Sequence, residues 1–269
     1  MTSTESYTGI DDLTVSLSDG VLAVTLNRPD SLNSLTAAMF ETVADVLERA
    51  ASDPAVRVVR LGGAGRGFSS GAGIGATDHA NPGANGAPED VLHAANRAIR
   101  SIVTLPKPVV SVVQGPAAGV GVSLAIAADI VLASEKAYFL LAFTKIGLMP
   151  DGGASALVAA SIGRARAMRM ALLAERLSAA DALAAGLVSA VYPADDLEAE
   201  VNAVIDKLKS GPAVALRQTK QAINAATLTE LEGALGRETE GQLSLLASHD
   251  FQEGTKAFQQ RRAATFTDD

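Results

Sequence analysis

Hydrophobic and polar positions change period several times along this chain, and each change predicts an element. Val21–Leu26 alternates as a half-buried strand does and ends at the turn cluster Asn27-Arg28-Pro29-Asp30. Thr36 suits a helix cap, and Met39, Val43, Val46, Leu47 and Ala50 follow it at helical spacing. Residues 56–61 predict a second strand, interrupted by Arg57 and Arg60, which runs into a glycine-dense loop over 62–75. Residues 76–89, rich in Gly, Pro, Asn and Asp, predict a mobile loop. A helix over 91–105 then stops at Pro106-Lys107-Pro108.

The apolar run 108–113 predicts another strand. It breaks at Gln114-Gly115-Pro116, and an almost wholly apolar helix starts at about Gly119 and reaches Ala128. Short strands over 130–132 and about 137–140 come next, then one long helix over 154–173. Ser178-Ala179-Ala180-Asp181 fits a capping box, and Gly186 ends that helix before a strand at 187–191. From Asp195 onward every segment predicts helix. Leu197, Val201, Val204, Ile205 and Leu208 share one face, and further helices cover about 212–225, 229–247 and 250–262. Strands alternate with helices first and a helical tail follows, with neither linker nor repeat, so the fold class is α/β.

Composition narrows the function classes. Of 269 residues 48% are hydrophobic and 19% charged, enough apolar material for a substantial core. Aromatic residues make up only 4% and there is no Trp, so Ala, Val, Leu and Ile do the packing and platforms for stacking bases are scarce. A net charge of −8 without a long basic run argues against a nucleic-acid partner. The lack of cysteine excludes disulfides, thiol catalysis and Cys–zinc sites, and His79, His93 and His249 show no metal-ligand spacing. No apolar run reaches a membrane span, and residues 1–12 are polar and acidic, unlike a signal peptide. A cytoplasmic protein without a membrane partner is expected.

Three segments carry candidate chemistry. At Gly119 a strand–turn–helix junction exposes helix N-terminal amides, which suit an anionic or polarised oxygen. In Arg66-Gly67-Phe68-Ser69-Ser70-Gly71-Ala72-Gly73-Ile74-Gly75 the stretch from Gly67 to Gly71 matches G-x-S-x-G literally. A hydrolase triad of Ser69, an Asp and His249 is formally possible, but Gly71, Gly73 and Gly75 oppose the helix that must follow. The glycine spacing does not fit dinucleotide binding either, and a loop of exposed backbone amides is the better reading. In the third segment Asp151 lies between Pro150 and the pair Gly152-Gly153, just before a helix. It is either a helix cap or an acid/base.

The landmarks Leu26-Asn27-Arg28-Pro29-Asp30-Ser31-Leu32-Asn33-Ser34-Leu35, Gly65 through Ala72, Lys107-Pro108-Val109-Val110 through Asp129, and Ile146 through Gly153 resemble, in order and separation, those of the crotonase (enoyl-CoA hydratase/isomerase) superfamily. Leu216-Arg217-Gln218-Thr219-Lys220 and Glu253 through Arg262 extend the resemblance into the tail. It implies a crotonase-like ββα spiral core with the acyl-CoA site over 1–195 and a C-terminal helical trimerisation region over 196–269. It further implies an acyl-CoA thioester substrate, no cofactor beyond the coenzyme A that the substrate carries, and a homotrimer or dimer of trimers. By motif position the backbone amides of Ala72 and Val120 would polarise the thioester oxygen. Arg28, Ser31, Leu32, Ser70, Gly71, Gly73, Ile74 and Gly119 would contact substrate, as would Ser123 and Phe143, with Lys256 or Arg262 as tail cations for coenzyme A. Where hydratases of the family use two glutamates, this chain has Ser123 and Phe143. An acid at the position of Asp151 is used instead by members that shift a double bond. Isomerisation from 3-enoyl to 2-enoyl thioester is therefore the leading expectation, ahead of a silent acyl-CoA binder and an atypical hydratase.

Overall fold

The computed structural model describes residues 7–73 and 87–268. Two antiparallel strands open the chain, β1 (Leu13–Ser18) and β2 (Val21–Leu26), with Leu13 opposite Leu26. They are joined at Asp19-Gly20, both with positive φ, the two-residue turn whose twist matches the strands. β1 is absent from the elements the hydrophobic pattern predicts, although this Asp-Gly pair before an alternating strand signals a hairpin. A helix, α1 (Ala37–Ser52), starts at Thr36, whose side chain accepts from the Met39 N–H as expected. The third strand, β3 (Val58–Gly63), lies parallel to β2.

After the glycine loop come α2 (Pro88–Thr104), β4 (Val109–Val113), β5 (Ala117–Ala118), α3 (Val120–Ile126), β6 (Ile130–Ser134) and β7 (Tyr138–Leu140). Ile74 and residues 76–86 of the predicted mobile loop lie outside the described residues. The predicted helix over 154–173 is two helices, α4 (Ala154–Ile162) and α5 (Arg164–Leu173). They break at Gly163, whose φ of 76° and ψ of 157° is a region open essentially to glycine alone. Then follow β8 (Leu177–Ser178), α6 (Ala179–Ala185) with Ser178 as its cap, and β9 (Ala190–Tyr192), which falls later than the predicted 187–191. The tail is α7 (Leu197–Lys209), α8 (Ala213–Thr227), α9 (Leu231–Leu246) and α10 (His249–Gln260).

The strands form a sheet in the order β1-β2-β3-β4-β6-β9, parallel from β2 onward, and a small second sheet β5-β7-β8. Every residue of β4 is buried, as a central parallel strand covered on both faces requires. On one face, Leu197, Val201 and Ile205 of α7 cluster with Val58, Val110, Val112 and Leu132. On the other, the core includes Phe40, Val43 and Leu47 of α1, Ile99 and Ile102 of α2, and Val122 and Leu124 of α3. An ion pair whose lysine is buried ties the tail to this framework. Lys220 of α8 bonds Asp129 at 2.9 Å and the Ile102 carbonyl at 2.9 Å, while Asp129 accepts the Val109 N–H at 2.7 Å.

Candidate active site

Two loops and a helix start converge beside the second sheet. The turn after β2 is a short helical turn, Pro29–Ser31, followed by Leu32 and Asn33 in the left-handed region. Asn33 is wholly buried. Its amide donates to the carbonyls of Ala64 and Gly67, and its Oδ1 accepts the Arg28 N–H. Arg28 itself bonds the Ser34 carbonyl and hydroxyl, and the Ser31 hydroxyl donates to the Arg28 carbonyl. Ser70 joins the glycine loop to this turn twice, through its N–H to the Leu32 carbonyl and its hydroxyl to the Ser31 carbonyl.

The direction of the Ala72 amide follows from the bonds beside it. Leu35 pairs with Ala72 in a parallel bridge, in which the Leu35 N–H donates to the Gly71 carbonyl and the Gly73 N–H to the Leu35 carbonyl. Bonds from the flanking residues turn the N–H of Ala72 away from Leu35. A second bridge, Ser69 with Ala117, draws the loop against β5. Gly71 and Gly119 then meet face to face. A Cβ on Gly71 would lie 3.4 Å from the Gly119 Cα and 2.8 Å from the Ala118 carbonyl oxygen. Both glycines have positive φ, 91° and 54°, which favours glycine at each, and at Gly71 the close approach requires it as well. Each is followed by one of the two expected donors. Val120 is the first residue of α3, and its N–H has no acceptor within the helix. Phe143, at the start of the short helical turn Phe143–Ile146, is buried, with Cζ 3.9 Å from where a Gly119 Cβ would stand.

Asp151 joins the same group through Ser123, whose hydroxyl donates to the Asp151 carbonyl at 2.8 Å. The next residue, Gly152, packs on the Val120 and Ser123 side chains so closely that a Cβ would be 2.9 Å and 3.2 Å from them. The carboxylate does not cap α4. Gly153 holds the cap position, and the first turn is closed by Glu238 of α9, whose two oxygens accept the N–H groups of Gly153 at 2.6 Å and Ser155 at 2.8 Å. The Asp151 carboxyl is thereby released from the ordinary role of an aspartate before a helix. Its Oδ2 accepts from Gln242 Nε2 at 2.9 Å, and its Oδ1 is buried without a hydrogen-bond partner. Burial pushes its pKa from an ordinary 3.8 to about 7, the Gln242 bond working against this and the nearby Glu238 charge adding to it. Such a group can both accept and return a proton near neutral pH.

Glu238 and Gln242 escape the motif reading because their chemistry comes from the tail. A signal was present in the periodicity. With Leu231 and Leu235 they occupy one stripe of α9, so two polar residues stand where an amphipathic helix places apolar ones. The hydrolase alternative is excluded by position. Ser69 is fully buried, donates to the Asn33 carbonyl and accepts the Gly71 N–H, whereas His249 is exposed on α10. Of the proposed tail cations, Arg262 is engaged with Glu253 at 2.7 Å, far along the chain from the loop.

The enoyl-CoA hydratase/isomerase family profile matches residues 16–269. A protein named "Probable enoyl-CoA hydratase" from Rhodobacter capsulatus is 39% identical over 252 residues, 93% of this chain and 96% of that one. The 1,2-epoxyphenylacetyl-CoA isomerase of Escherichia coli is 38% identical over 251 residues, 92% of this chain and 95% of that one. Among solved structures, an enoyl-CoA hydratase from Mycobacterium avium subsp. paratuberculosis superposes with a TM-score of 0.90 at 64% identity, covering 97% of this chain and all of the other. Order of landmarks, fold and likeness over nearly the full length agree, and the chain belongs to the enoyl-CoA hydratase/isomerase family of the crotonase superfamily.

Proposed function

We propose that this family member is an enoyl-CoA isomerase that moves a double bond from the 3 to the 2 position of an acyl-CoA thioester, with Asp151 as its acid/base. The observation that carries the reading is the state of that carboxyl. One oxygen is held by Gln242, the other is sheltered and unpartnered, and the group titrates at about 7. In the proposed cycle Oδ1 takes a proton from C2. The C–H electron pair flows into an enolate whose oxygen lies between the Ala72 and Val120 amides. The same oxygen then returns the proton to C4, the double bond comes to rest between C2 and C3, and the thioester carbonyl re-forms. Charge on the enolate oxygen is met by fixed donors, each worth on the order of 3 kcal/mol of barrier.

Hydration would need a second group to activate water. Ser123 is engaged with the Asp151 carbonyl and Phe143 cannot transfer a proton, while the nearby acid Glu238 has both oxygens bonded to backbone amides. The test offers purified protein 3-enoyl-CoA and, separately, 2-enoyl-CoA, with Asp151→Asn beside the wild type. Conversion of the first substrate that the substitution abolishes is the expected result. Hydration of 2-enoyl-CoA that survives Asp151→Asn, or acyl-CoA binding with no turnover of either, would overturn the proposal.

A further inference from the structure

Leu231, Leu235, Glu238 and Gln242 recur along α9 at intervals of four, three and four, a single helical stripe. The stripe faces the segment that carries the candidate base. Leu231 and Leu235 close on Gly153, Glu238 takes the Gly153 and Ser155 amides, and Gly241 beside the stripe leaves room for the Met149 sulfur. Gln242 is buried and bonded at both ends. Its Oε1 accepts the Met149 N–H at 3.1 Å, which fixes the amide so that Nε2 is the end that donates to Asp151 Oδ2.

This orientation has a chemical consequence. An oxygen that already receives an N–H cannot also carry a proton toward it, because two hydrogens would then face each other. A hydroxyl at Oδ2 would accept that N–H only through its weaker remaining lone pair, so the neutral form of Asp151 favours its hydrogen on Oδ1. Resting on the isomerase reading, we propose that Gln242 is a positioning residue: by clamping Oδ2 against the Met149 amide it confines the migrating proton to Oδ1, so that what leaves C2 is delivered to C4 rather than lost to water. The groups facing Asp151 are few among the described residues. Glu238 is the charged one on α9, itself near Arg237, and α3 offers the uncharged Val120 and Ser123.

The test uses 3-enoyl-CoA deuterated at C2 and measures deuterium at C4 of the product, together with the pH profile of kcat/KM. Wild type should retain roughly half or more of the transferred label, because the acid is sheltered from solvent. Gln242→Met, which keeps the volume and removes both amide contacts, should lower retention at least about threefold and kcat about tenfold with little change in KM. Its acid limb should move to higher pH, because the donor that favoured the anion is gone, whereas Glu238→Gln should move that limb to lower pH. Gln242→Asn, too short to reach both partners, should show the same changes in smaller degree and guards against a folding defect in the first variant. Retention and acid limb unchanged in both Gln242 variants, with Asp151-dependent isomerisation intact, would overturn the role of Gln242 alone. A wild type that shifts no double bond would overturn the isomerase reading and this inference with it.

Discussion

At the residue scale, the chain turns an aspartate that would ordinarily cap a helix into a free carboxyl, because another residue takes over the capping. Glu238 satisfies the first turn of α4, and Asp151 is left buried with one unpartnered oxygen. Removal of a positioned acid/base typically costs about 10²- to 10⁴-fold in rate. Asp151→Asn should therefore lower kcat by about 10³-fold on 3-enoyl-CoA while the dissociation constant for an unreactive acyl-CoA stays within about threefold. The same substitution should raise stability at high pH. A carboxyl whose folded-state pKa lies at about 7 against an ordinary 3.8 favours the native state fully below the lower value. That contribution is lost as pH rises toward 7, on the order of 4 kcal/mol at the limit. Melting curves should show Asp151→Asn gaining on wild type between pH 4 and pH 8, and a constant difference across that range would contradict the assignment.

At the element scale, the two amides proposed as oxyanion donors are products of local backbone geometry rather than of side chains. The Leu35–Ala72 bridge aims one amide and the start of α3 supplies the other. Val120 tests this cleanly. It is the first residue of its helix, where proline is well tolerated because that N–H has no helical partner to lose. Val120→Pro should leave the far-ultraviolet circular dichroism close to wild type, with a modest drop in melting temperature from the lost packing of a buried side chain, while lowering kcat about 10²- to 10³-fold. A variant that folds and keeps full turnover would remove Val120 from the oxyanion site. The landmarks that carried the family resemblance divide at this scale. Ala72, Gly119 and Asp151 lie at the candidate site, whereas Asn33 knits the first turn to the glycine loop, and Asp129 and Lys220 anchor the tail.

At the scale of the whole molecule, the tail helices belong to the site and the sheet at once: α7 covers one face of the sheet and α9 lies along the segment bearing Asp151. Lys220 holds α8 in this arrangement from within the protein. Burial pushes its ammonium down and the Asp129 carboxyl up, and their mutual attraction opposes both shifts. Lys220→Ala removes a buried lysine's bonds to Asp129 and to the Ile102 carbonyl and should cost about 1.5–3 kcal/mol in urea unfolding, a loss under 1 kcal/mol arguing against the pair's importance. Leu172, Leu173, Val214 and Ile223 are large apolar side chains left more than half exposed on α5 and α8. We propose that association covers them, and light scattering should then give three or six times the 27.4 kDa of one chain, a monomer mass refuting it.

Period and punctuation were enough for most elements, because strands and amphipathic helices write their spacing directly into the chain. Thr36 as a cap, Gly186 as a stop and the stripe from Leu197 to Leu208 all occur where the pattern puts them. The family, too, was legible, since its landmarks are short contiguous runs. The break at Gly163 was not, because an apolar pattern continues through a glycine whether or not the backbone does. Nor was the pairing of Asp151 with Gln242, 91 residues apart, which only the docking of α9 brings about. The sequence by itself determined the family, the order of most elements and the candidacy of Asp151 and of the amides after Gly71 and Gly119. Tertiary structure decided which carboxylate is freed, which oxygen of it is clamped and which amides face one another, because those depend on desolvation and on contacts between segments distant along the chain.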